Sequence, residues 1–86
     1  MGIVEKEFSA LPALSEKPEA LFELGLACAT GRFGSPDLVA AHKWFNIAAF
    51  RGVAAAKIRR EEISAEMTRD EIAAAQRAAR DWLTRH

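Results

Sequence analysis

An all-α chain of four helices, paired as two antiparallel hairpins, is the fold predicted by three features of this 86-residue sequence. Eighteen residues are alanine, the strongest helix former. Apolar residues recur at three- and four-residue spacings, and no segment alternates with the period of two that a half-buried strand requires. Glycine and proline separate the periodic stretches, and connections this short make successive helices antiparallel.

The elements follow in order. Residues 1–14 carry Ile3, Val4, Phe8, Leu11 and Leu14 at roughly helical spacing, but Pro12 interrupts a long helix. This apolar segment is a candidate for facing a partner. Ser15 is placed to cap a first helix whose opening turn holds Glu16, Lys17 and Pro18, and which runs to about Thr30. Its inward residues are Ala20, Leu21, Leu24, Gly25 and Cys28. The turn Gly31–Pro36 follows, and Ser35 with Pro36 is expected to open a second helix. That helix carries Leu38, Ala41, Phe45, Ala48 and Ala49 on one stripe, with Trp44 flanking it, and stops at Gly52. A third helix is predicted over residues 53–66, facing inward through Ala55, Ala56, Ile58, Ile63 and Met67. Lys57 and Glu61 are spaced to pair on its outside. Thr68 and Glu71 form a capping-box pattern before a fourth helix. There Ile72, Ala75, Ala79, Trp82 and Leu83 make the inner stripe, and Arg77, Asp81 and Arg85 an outer face.

Composition removes several functional classes. Twelve basic residues balance twelve acidic ones, which argues against binding nucleic acid through phosphate neutralisation. The single cysteine, Cys28, excludes an internal disulfide framework and a zinc site built on several thiolates. No apolar run approaches the ~20 residues of a membrane span. Glu5, Lys6 and Glu7 break up any signal-peptide stretch. A cytoplasmic location without membrane contact is therefore expected.

One set of spacings carries more information: Ala20, Leu24, Gly25, Gly31, Asp37, Ala41, Trp44, Ala48, Ala49, Gly52 and Ala56. This pattern resembles the Sel-one-like repeat, a helical repeat related to the tetratricopeptide repeat. It departs from that family at Cys28, where an aromatic residue is usual, and in the three-residue spacing of Gly31 and Gly34. The resemblance implies a right-handed α-α superhelix, with residues 15–52 as one repeat hairpin and 53–86 as a closing hairpin. It also implies binding to other proteins. Solenoids of this type need about three units to bury their faces, so one repeat with its cap points to a protein partner or a second copy.

Catalytic signatures are weak. His42 lies between Leu38 and Phe45 at helical spacing, which suits a packing histidine better than an acid or base. Cys28 lacks the sequence context of a thiol nucleophile and reads as a buried packing residue. Cys28, His42 and Asp37 have no metal-ligand spacing, and the 31–37 turn lacks the Lys-Ser/Thr of a phosphate loop. No cofactor, metal or small-molecule substrate is expected, and the chain is not expected to be an enzyme. Arg59, Arg60, Arg69, Arg77, Arg80 and Arg85 interleave with Glu61, Glu62, Glu66, Asp70, Glu71 and Asp81. That reads as a solvated, salt-bridged surface, with an acidic-partner site as the alternative. The function expected is a protein–protein interaction module serving as a small adaptor or scaffold. The alternatives are an accessory or regulatory subunit that stabilises a larger enzyme, and a thiol-dependent enzyme or redox protein using Cys28. Phe8, Phe22, Phe33 and Phe50 are the candidate partner-binding residues, at least two of them in one partner-facing patch.

Overall fold

The computed structural model describes residues 17–86. The apolar segment 1–14, with Phe8, and the cap expected at Ser15 lie outside the described residues. Within them the chain is all-α, as predicted: α1 (Pro18–Thr30), α2 (Leu38–Phe50), α3 (Ala54–Ser64) and α4 (Arg69–Arg85), with no strand among the described residues.

Local chemistry sets most helix ends. α1 starts at Pro18, whose fixed φ suits the first helical position. Its N-cap position is Lys17, which makes no side-chain cap bond. Gly31 ends the helix in the left-handed region at φ 80°, where the Arg32 N–H reaches the Ala27 carbonyl at 3.0 Å. A Cβ at Gly31 would also meet the Pro36 ring at 2.9 Å. α2 is capped by Asp37, whose carboxylate accepts the Ala40 N–H at 3.0 Å. Ser35 and Pro36, expected to open this helix, belong instead to the turn.

α2 stops at Gly52 as anticipated. α3 is shorter than expected, because bonds from Glu66 N–H to Ile63 and from Met67 N–H to Ser64 tighten its end into turns. The predicted capping box is formed, with Glu71 N–H donating to Thr68 Oγ1 at 3.1 Å and Thr68 N–H to Glu71 Oε1 at 2.9 Å. Thr68→Ala is expected to cost about 1 kcal/mol in urea unfolding, because it leaves the Glu71 amide uncapped.

α2 is the centre of the molecule and packs against each of the other three helices. Against α1, the contact is close because Gly25 has no side chain. A Cβ there would stand 2.5 Å from the Phe45 ring, which is itself almost fully buried. Leu21, Ala41, Phe45, Ile47, Ala48, Ala56 and Ala79 form the core cluster. Against α4, Trp44 meets Trp82 edge-on with ring centroids 5.7 Å apart, a favoured aromatic geometry.

Two expectations need correction. α3 and α4 are joined by a short turn but barely touch, so the second pair diverges across α2 instead of packing along its length. The inward face of α3 is also different from the predicted one. Ala55 and Ile58 point to solvent, with Ile58 59% exposed, while Ala56, Ile63, Arg60 and Ser64 turn inward. The reason is that much of the α2 surface opposite α3 is polar.

Candidate partner-binding groove

The divergence of α3 from α4 leaves a shallow, solvent-open groove of about 570 Å³ over α2. Asn46, Ala49 and Phe50, at i, i+3 and i+4 of α2, form its floor. Lys57 and Arg60, one turn apart on α3, make one wall. Gln76, Ala79, Arg80 and Leu83 on α4 make the other. Phe50 remains 77% exposed.

A ring of hydrogen bonds sets the α3 wall. His42 Nε2 lies 2.9 Å from Ser64 Oγ, and His42 Nδ1 lies 2.9 Å from Asn46 Nδ2. Arg60 Nη1 donates to Asn46 Oδ1 at 2.8 Å, and Ser64 Oγ donates to the Arg60 carbonyl at 2.8 Å. One turn up α2, from 42 to 46, thus meets one turn down α3, from 64 to 60. Arg60 has only donors, so Asn46 must present its oxygen to Arg60 and its NH₂ to His42. His42 Nδ1 is then an acceptor, and Nε2 carries the proton toward Ser64. A single arrangement satisfies every group, and no buried side-chain polar atom is left unpaired among the described residues.

His42 is 2% exposed, more completely buried than its sequence context suggests. Burial, with the nearby Arg60 charge as a second cause, pushes its pKa below the ordinary 6.5. The imidazole is thus kept neutral, as the ring of bonds requires. A proton on Nδ1 would face the Asn46 NH₂ and break the sequence of donors and acceptors as far as Arg60.

The predicted partner-binding residues fall in different places. Phe22 is half-buried, its ring 5.7 Å from that of Phe45, and serves the core. Phe33 is 60% exposed on the α1–α2 turn. Phe50 sits at the other end of α2, about 20 Å away by helical rise. The two exposed rings therefore do not share a patch, and only Phe50 lines the groove. Of the repeat-pattern residues, Leu24, Gly25, Ala41, Ala48 and Ala56 are buried. Ala20, Trp44 and Ala49 are half-buried, while Gly31, Asp37 and Gly52 shape helix ends.

The groove's polar residues, Asn46, Lys57, Arg60, Gln76 and Arg80, were not singled out as one site by the sequence. Their signal lies in three-residue and four-residue spacings on α3 and α4, which look like ordinary solvated faces. Lys57, spaced to pair with Glu61, lines the groove, and the ion pair seen on α3 is Arg59–Glu62 at 3.5 Å.

Cys28 is half-buried. Burial, followed by the Asp37 charge, raises its pKa, the opposite of what a thiolate nucleophile needs. Both His42 ring nitrogens are engaged elsewhere, at Ser64 and Asn46. Among the described residues there is no cluster of three metal-ligating side chains, and no helix long and apolar enough to cross a membrane. No family model, curated protein or solved structure matches the chain.

Proposed function

We propose that the chain is a protein–protein interaction module, a small adaptor or scaffold that holds its partner in the groove over α2. The observation that carries this reading is Phe50, an aromatic ring left 77% in water on the floor of a concave site. Isolated exposed apolar residues are ordinary on protein surfaces. A large one inside a groove, beside Ala49, Ala79 and Leu83, is where a partner side chain gains most by desolvation. The resemblance to Sel-one-like repeats supports the same reading. Gly25 against Phe45 and the buried Ala41, Ala48 and Ala56 are the close-packing positions that resemblance emphasises. A tetratricopeptide-like superhelix and a cytoplasmic location belong to this proposal.

An accessory subunit of a larger enzyme is the second reading. It is favoured by the exposed Phe33 and Ile58, which give the chain apolar surface outside the groove. Site-specific photo-crosslinking in the native host tests the first. With p-benzoylphenylalanine at position 76, inside the groove, discrete crosslinked proteins are expected. The same probe at position 77, on the outer face of α4, should give none. Equal crosslinking at both positions, or none at either, would contradict the proposal.

A further inference from the structure

The charge of the groove is more specific than its shape. Three of its lining side chains, Lys57, Arg60 and Arg80, are cations, and no carboxylate lines it. This contrasts with a chain whose charges balance and whose outer helix faces mix both signs. Lys57 and Arg80 have no carboxylate partner among the described residues. Arg60 is held by the neutral oxygen of Asn46, so its charge is aimed but not compensated. The cations stand on both walls, two on α3 and one on α4, with Phe50, Ala49, Ala79 and Leu83 between and below them.

Resting on the interaction-module reading, we infer that the groove takes an acidic peptide segment of a partner protein, a bulky apolar side chain flanked on both sides by Asp or Glu. The apolar side chain packs on Phe50 and Leu83. Flanking carboxylates reach Lys57 and Arg60 on one wall and Arg80 on the other, where charge-assisted hydrogen bonds are stronger than neutral ones. The amides of Asn46 and Gln76 lie on the same lining; the Asn46 oxygen already serves Arg60, and Gln76 can meet peptide backbone groups. A nucleic-acid strand fits less well. It needs a continuous basic track and stacking surfaces for successive bases, whereas Glu61 and Asp81 directly follow the cationic wall positions in sequence and only one aromatic ring lines the groove.

The test is selection of a random 12-residue peptide display library on the full chain, with the enriched peptides then measured by fluorescence anisotropy. Enrichment of Asp/Glu flanking Leu, Phe, Trp or Ile is expected. Binding should weaken about tenfold in each of Lys57→Glu and Arg80→Glu, and also in Phe50→Ser. It should weaken further between 50 and ~300 mM salt, as screening predicts. Lys57, Arg80 and Phe50 are exposed, and thermal melting of each variant checks that the fold persists. Enrichment of neutral or basic peptides that still depend on Phe50 would overturn the acidic specificity and leave the interaction module standing. Acidic peptides that bind equally to all variants, or no enrichment, would overturn the groove as the site. Two competitors complete the test: a 12-nucleotide oligouridine and a synthetic peptide of residues 1–16. Stronger binding by the first would give the groove to nucleic acid, and by the second to this chain itself; either overturns the proposal.

Discussion

Phe45→Ala is expected to destabilise the protein by about 3–5 kcal/mol, the cost of emptying a buried aromatic site. In the same background, a second substitution should change sign. Gly25→Ala in the wild-type chain forces a methyl group to within 2.5 Å of the Phe45 ring. That ring is walled in by the core and cannot swing aside, so the helices must separate. The cost is about 1–3 kcal/mol of overpacking, against about 0.5–1 kcal/mol that alanine returns by stiffening the helix. With Phe45 truncated, the clash is gone and only the helical gain remains. Urea unfolding of the four proteins closes the double-mutant cycle. An equal penalty for Gly25→Ala in both backgrounds would show that the contact does not set the α1–α2 distance.

His42→Leu is expected to cost about 1–3 kcal/mol at pH 7.5, because the part-buried Asn46 NH₂ loses its acceptor and Ser64 Oγ loses a donor. It should also remove a pH dependence. In the folded chain the His42 pKa is held below 6.5, by burial first and Arg60 second. The unfolded chain therefore takes up this proton first as the solution is acidified. Stability is full above about pH 6.5 and falls as the pH drops through 6.5 toward the folded-state pKa. Chemical denaturation at intervals from pH 7.5 to 5 should show this decline in the wild type. His42→Leu should start lower and lack that part of the slope. A slope unchanged in the variant would place the titrating group elsewhere.

The sequence made the local determinants legible and obscured the tertiary ones. The ends at Gly31 and Gly52 and the Thr68–Glu71 box are decided by a few adjacent residues, and they appear where expected. The α2 start lies two residues beyond the one the sequence predicts, because Ser35 and Asp37 are both competent caps. In fact Asp37 reaches the Ala40 amide. The inward face of α3 differs from the predicted one for another reason. Hydrophobic periodicity finds a face that packs on an apolar neighbour, but Arg60 and Ser64 pack on Asn46 and His42. A polar contact surface has no apolar period, so Ile58 looked like the inner residue.

The groove was hidden by the same limitation. A short turn shows that α3 and α4 are successive, not that they lie together along their length. The Trp44–Trp82 contact belongs to α4 on α2, and the His42–Ser64 and Asn46–Arg60 bonds belong to α3 on α2. Each helix is thus tied to the centre instead of to its neighbour. Phe50 is legible as a candidate because Phe8, Phe22, Phe33 and Phe50 together are more aromatics than two small hairpins need internally. Its separation from Phe33 required knowing that they stand at opposite ends of α2.

A closed ring of hydrogen bonds through neutral His42 fixes α3 on α2 and aims Arg60 into the groove. Long-range ¹H–¹⁵N correlation of the histidine side chains tests it in the full chain at pH 7. His42 is expected as the neutral Nε2–H tautomer, with Nδ1 an acceptor and its titration midpoint below 6.5. An Nδ1–H tautomer, or an imidazolium at pH 7, would contradict it.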